Sequence, residues 1–273
     1  MEGTVGPAGG ASPGPGRPGK DRPGAGKDAS KADSKTDSKK SPGGLVRLDL
    51  AAIERSLRAV QRAFDRINPT LDTPRDPLSD QVLDNLMTGY AYLNTLLAAG
   101  VNPLAPGNSR HLLELNHRVL CGTDATARKD SALHIMETER RFYDAPSPGG
   151  VSALMETLTA HREESVWRRA ARAHIHVLSR PQLYIEGNHR TGALIMSAML
   201  LWAGKPPFVL TVRNAKAYFD PSTLAKESRK RSLQLLMRQP GLSKRLAALL
   251  KDEADRGFLE HWAAPNLAAQ PPS

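Results

Sequence analysis

The sequence predicts a mainly α-helical fold, a bundle of amphipathic helices packed around one helix that is buried on every side. Three observations carry that expectation. Apolar residues recur three and four positions apart through most of the chain from Leu50 onward. Strand signals are scarce throughout. The stretch from Leu194 to Trp202 presents Leu, Ile, Met and Trp in every direction, the mark of a helix at the centre of a domain.

Taken in order, the elements begin after a head that should not fold. Residues 1–44 hold 11 of the chain's 22 glycines and 6 of its 21 prolines, with almost nothing apolar, so they bury too little surface to offset their ordering entropy. Residues 45–76 supply an N-terminal helix and linker: Leu50, Ile53, Leu57, Val60, Phe64 and Ile67 form one stripe, and Asn68-Pro69 stops it. Pro77 and Ser79 open a second helix that runs to Gly100, and a third spans Arg110–Leu120, ended by Gly122. Thr123–Phe142 is polar and weakly periodic, the one place where a short β-hairpin flap fits. Helical periodicity returns over Val151–Ala160 and again over Glu163–Leu178. Residues 77–225 make the main domain, 226–262 basic C-terminal helices, and 263–273 a tail.

Composition excludes several classes. With Cys121 alone there is neither a disulfide framework nor a thiolate zinc site. The longest apolar run, Ala193–Ala203, is interrupted only by Ser197 and reaches 11 residues, short of the roughly 20 that a membrane span needs. No apolar core follows the first charges as in a secretory signal, so a cytoplasmic, reducing location is expected, although a helix-rich effector exported to another cell would look the same. The formal net charge is +10, of which the head contributes 8 Lys and Arg against 5 Asp and Glu. Arg229, Lys230 and Arg231 run together, but no aromatic residues interleave with them. That favours a solvated helix face over a nucleic-acid partner.

The segment that stands out is Leu183-Tyr184-Ile185-Glu186-Gly187-Asn188-His189-Arg190-Thr191-Gly192, which feeds directly into the apolar helix. Free amides and the helix dipole make such an end suited to an anion. Arg190 adds a fork of donors matched to phosphate oxygens. Glu186 is an oxygen ligand of the kind Mg²⁺ takes together with substrate phosphates. A purely structural alternative stands beside this, in which Asn188 caps the helix, Glu186 pairs with Arg190, and nothing binds.

With its flanks, the segment resembles the signature HPFx(D/E)GN(G/K)RxxR of the Fic/Doc (Fido) family, matched by Gln182 through Arg190. An alanine-rich helix with His174 precedes it, and Lys205-Pro206-Pro207 and Tyr218 follow. The likeness covers roughly residues 77–225. It implies a Fic-like helical bundle. It also implies transfer of AMP from ATP, or of another phosphate-linked group, to a hydroxyl of a target protein (AMPylation). Glu186 would hold Mg²⁺, and Gly187, Asn188 and Arg190 would hold the nucleotide phosphates.

The likeness breaks at three positions: the family's histidine is Gln182, its second glycine is His189, and its second arginine is Ala193. An amide cannot carry away a proton near neutral pH, and losing a general base typically costs about 10²–10⁴ in rate. Gln182 can still orient a hydroxyl, and His189 is a candidate substitute base, a phosphate ligand, or a plain surface residue. His174, on an apolar helix face, reads as a core histidine. Two functions remain open: an altered transferase, or a catalytically silent binding or regulatory module that lacks the general base.

Overall fold

The computed structural model describes residues 45–262; the expected unfolded head and the tail lie outside the described residues. The fold is mainly helical, as the periodicity predicts. The described chain starts with β1 (Leu45–Leu48), α1 (Leu50–Arg62), α2 (Phe64–Ile67), α3 (Asp80–Ala98) and α4 (Arg110–Cys121). It continues through α5 (Ala125–Asp130), α6 (Ala132–Asp144), α7 (Gly150–Ala160), α8 (Val166–Leu178) and α9 (Asn188–Trp202). It ends with α10 (Ala215–Glu227), α11 (Leu233–Asp252) and β2 (Leu259–Trp262).

Local chemistry sets five of the helix starts. Asp49, Ser79, Asp124, Ser165 and Ser232 each accept a hydrogen bond from an amide of the following first turn. The first predicted helix divides at Ala63 into α1 and α2, which keeps Phe64 and Ile67 buried after the turn.

Two expectations need correction. The segment expected to hold a hairpin is instead the helices α5 and α6. Asp124 caps the first of them, and Ala, Leu, Met, Glu and Arg through 132–141 are good helix formers. The segment 226–262, expected to hold helices only, contains one full α-helix, α11, and then β2, which belongs to the one sheet among the described residues. β1 pairs antiparallel with β2, Leu48 opposite Leu259, so both ends of the described chain are joined. Asn94 of α3 clips this ribbon to the bundle: its Oδ1 accepts from Leu48 N at 2.7 Å and its Nδ2 donates to Leu48 O at 3.1 Å.

Helix α9 lies at the centre of the core, with Leu194, Ile195, Met196 and Ala198 fully buried. It packs on α8, whose Ala170, Ala171 and Ala173 are fully buried and whose His174 and Val177 face Gly192 of α9. At Gly192 an added Cβ would lie 2.6 Å from Nδ1 of His174 on α8, so only glycine fits. His174 is fully buried, as a core histidine should be, and its Nε2–H donates to Ser222 Oγ at 2.9 Å. The Ser222 hydroxyl in turn donates to Tyr218 O at 2.6 Å, so it accepts from the His174 ring, and Nδ1 of His174 faces Gly192 without a partner. Burial pushes its pKa down to about 3, so the ring is neutral. This packing fixes where α9 begins, and therefore where the loop before it sits. No helix among the described residues is long and apolar enough to cross a membrane.

Candidate functional site

The loop before α9 is held from inside. Leu183 and Tyr184 are fully buried, Tyr184 lies stacked on Phe142 at 5.5 Å between ring centroids, and its hydroxyl donates to Leu112 O at 2.9 Å. Asn188 reaches back over the turn: Oδ1 accepts from Tyr184 N at 3.0 Å and Nδ2 donates to Tyr184 O at 2.9 Å. It therefore clasps the loop rather than capping the helix; the cap position belongs to Gly187, whose φ of +74° is left-handed. Asn116, wholly buried on α4, adds a second clasp by donating to Glu186 O at 2.9 Å and Thr191 Oγ1 at 3.0 Å. A Cβ at Gly187 would meet Asn116 Nδ2 at 3.0 Å, so glycine is needed for both its conformation and this close approach.

With the loop pinned, Ile185 and Glu186 face outward. The Glu186 side chain is 66% exposed and lies 4.0 Å from the Arg190 guanidinium, a loose pair that leaves its carboxylate available. Arg190 is only 24% exposed; its Nη1 donates to Val119 O at 3.1 Å, and burial lowers its pKa. No side chain caps the first amides of α9.

Glu186, His189 and Arg190 line a cleft of about 640 Å³. Its far wall comes from outside the motif: Arg75 in the segment before α3, and Phe219, Thr223 and Lys226 on α10. Arg75 lies over the Phe219 ring at 4.6 Å and donates to Thr223 Oγ1 at 2.6 Å, while its buried Nε has no partner. Both ring nitrogens of His189 are likewise buried without a partner. Burial, then the charges of Arg75, Lys226 and Arg190 together with the His174 ring, press its pKa down to about 2, so His189 is neutral. The cleft thus brings Arg75, Arg180, Arg190 and Lys226 together against Asp76, Glu186 and Glu227.

Gln182 does not line this cleft. Its side-chain oxygen sits 3.5 Å from Asn188 Nδ2, and its carbonyl accepts from Arg141 Nε at 3.0 Å. Of the residues singled out from sequence, Glu186, His189 and Arg190 converge on one cavity, Gly187 and Asn188 shape the loop, and Gln182 stands apart. Sequence reasoning missed Arg75, Lys226 and Asn116. Arg75 lies in an irregular stretch between Pro74 and Pro77, and Asn116 is an unremarked polar residue on a helix, so neither carries a local signal.

No family model matches the chain, and no curated protein or solved structure does either.

Proposed function

We propose that the cleft beside Glu186–Arg190 binds a phosphorylated ligand, a nucleotide carrying Mg²⁺, in the manner of a divergent Fic-like domain with little or no turnover. The observation that supports this best is the convergence of Arg75, Arg190 and Lys226 on a cavity where three buried nitrogens, Arg75 Nε and both of His189, have no partner. Buried donors without acceptors are rare and costly, about 1–3 kcal/mol each. Phosphate oxygens would supply acceptors for two of them, Arg75 Nε–H and the single N–H of the neutral His189 ring. At about 640 Å³ the cavity falls within the usual range for small-molecule sites.

The donor set fits Mg²⁺ held by a cleft carboxylate together with the phosphates of a ligand. Among the described residues no group of three or more His, Cys, Asp or Glu makes a metal site by itself. Glu186 offers one carboxylate, and Mg²⁺ commonly binds through one carboxylate plus the phosphates of its ligand. When bound, the ion would neutralise phosphate charge.

Little turnover is proposed because neither candidate base suits the task. Gln182 lies off the cleft and has no proton to exchange near neutral pH. His189 borders the cleft, but an imidazole with a pKa near 2 is a feeble base. The transferase reading draws on a different observation, the free and exposed Glu186 carboxylate beside Arg190. Incubation with ATP labelled at the α-phosphate and with labelled γ-phosphate, in cell extract with and without Glu186→Ala, separates the two. A Glu186-dependent labelled protein band establishes transfer. Saturable binding with no such band establishes the binding module.

A further inference from the structure

Helix α11 carries an apolar face that nothing among the described residues covers. Its inward side, with Leu235, Leu242, Leu246 and Leu250, is buried against α8 and α10. Leu233 and Met237 each lie two positions from Leu235, about 160° round the helix, and so point away from that core. They are 74% and 76% exposed, and Leu236 beside them is 59% exposed. Three of the eight large apolar side chains exposed among the described residues thus fall within five positions. Scattered singly, such residues are ordinary; gathered on one outward face, they mark a contact surface.

The charge around this face has one sign. From Ser228 to Lys251 the chain has seven cations, no carboxylate and no aromatic residue, with Glu227 and Asp252 closing the stretch at either end. Arg229 and Arg231 stand just before the helix, Arg238 flanks the apolar patch, and Lys244 and Lys251 continue its outward line. All five are exposed, and none forms an ion pair among the described residues. Glu156 of α7 borders a small cavity with Lys230 and Arg231 and offsets part of their charge.

That charge decides among occupants. Residues 1–44 are themselves net positive, with 8 Lys and Arg against 5 Asp and Glu, and a second copy of the chain would set these cations against their own kind. A nucleic acid would meet three aliphatic side chains and no aromatic platform. The outward line of α11 is apolar at its start and cationic at its end, over 20 residues or about 30 Å, so a compact acidic peptide would engage one end or the other. An extended anionic plane with apolar material beneath it engages both. Basic amphipathic helices lie on anionic bilayers in this way, apolar residues entering below the headgroups while each nearby Lys or Arg adds attraction.

We propose that the outward face of α11 docks the protein on an anionic lipid surface, with Leu233, Leu236 and Met237 entering the headgroup region and Arg238, Lys244 and the cations before the helix meeting the lipid charges. The helix lies on the bilayer without crossing it, and the docking is independent of the nucleotide cleft.

The test is flotation of the full chain with vesicles of phosphatidylcholine alone and of a phosphatidylcholine–phosphatidylserine mixture, at low and high salt. The expected result is binding to the mixed vesicles at least about tenfold tighter than to phosphatidylcholine alone, weakening as salt rises. The double change Leu236→Gln with Met237→Gln should weaken that binding at least about tenfold, because the apolar entry is lost. Arg238→Gln and Lys244→Gln should each weaken it about fivefold. All four side chains are exposed, so thermal unfolding should match the wild type. Leu133→Gln, at a 64% exposed leucine on α6, should leave vesicle binding unchanged. Equal binding to both vesicle types, or none to either, would overturn the proposal. So would binding indifferent to the Leu236 and Met237 changes, a loss as large in Leu133→Gln, or polyglutamate held as tightly as the mixed vesicles and with the same dependence on Leu236 and Met237.

Discussion

Replacing Gly192 with alanine should destabilise the protein, although alanine is ordinarily the better helix residue. The new Cβ would lie 2.6 Å from His174 Nδ1, 3.2 Å from Cε1 and 3.5 Å from Val177 Cγ1. The His174 ring has nowhere to retreat, because it is fully buried, bonded to Ser222 at 2.9 Å and packed 5.3 Å from the Tyr218 ring. Overpacking of this kind costs about 1–3 kcal/mol, and a displaced ring forfeits a hydrogen bond of about 1 kcal/mol. The gain in helix propensity returns about 1 kcal/mol. The expected balance is a loss of about 1–3 kcal/mol, read as a lower urea midpoint at unchanged slope. In a His174→Ala background the obstructing ring is gone, and the same Gly192→Ala change should become stabilising by about 0.5–1 kcal/mol. That reversal of sign is the signature of direct contact in a double-mutant cycle. If Gly192→Ala is neutral in the wild type, or acts equally in both backgrounds, the account of α8 packing on α9 is wrong.

Three further outcomes follow from the same geometry. Gly187→Ala forces a non-glycine residue to φ +74° against Asn116 Nδ2, so it should cost about 1–3 kcal/mol in urea unfolding and weaken ligand binding, whereas the same change at the open Gly107 should leave binding intact. Asn188→Ala removes both bonds to the Tyr184 backbone and should lower stability by about 1–3 kcal/mol, with faster hydrogen exchange at the Tyr184 amide as the specific readout. His174 and His176, both held neutral by burial with pKa values near 3, lie below the unfolded value of about 6.5. Their stabilisation is fully present above pH 6.5 and drains as pH falls toward 3, at up to about 1.4 kcal/mol per pH unit for each ring. Urea midpoints from pH 4.5 to 7.5 should therefore climb steeply, and His176→Gln should lessen the slope; a flat profile would contradict the burial of these rings.

Much of the helical frame is legible in the sequence because it rests on local rules. The Ser79 cap, the stripe from Leu50 to Ile67 and the all-round apolar face of α9 each leave a pattern within a dozen residues. The sheet leaves none, since each strand is four residues long and its partner lies about 200 positions away. The 123–142 stretch misleads because its weak periodicity says less than its helix-forming residues and the Asp124 cap. At the site, the loop that carries Glu186 and Arg190 announces itself. Its clasps do not: that Asn188 turns back to Tyr184 rather than forward along the helix, and that Asn116 holds Glu186 O from 70 residues away, are consequences of packing. The same holds for Arg75, which reaches the cleft only because α10 brings Phe219 and Thr223 beneath it.

The proposed phosphate site is tested most directly by calorimetric titration of the full chain with ATP and Mg²⁺, beside Arg190→Ala and Arg75→Ala. Saturable binding to the wild type, weakened at least about tenfold in each variant, is the expected result, since a charged hydrogen bond contributes about 1.5–3 kcal/mol. Binding of equal strength in all three proteins, or none in the wild type with ATP, ADP or pyrophosphate, would contradict the account.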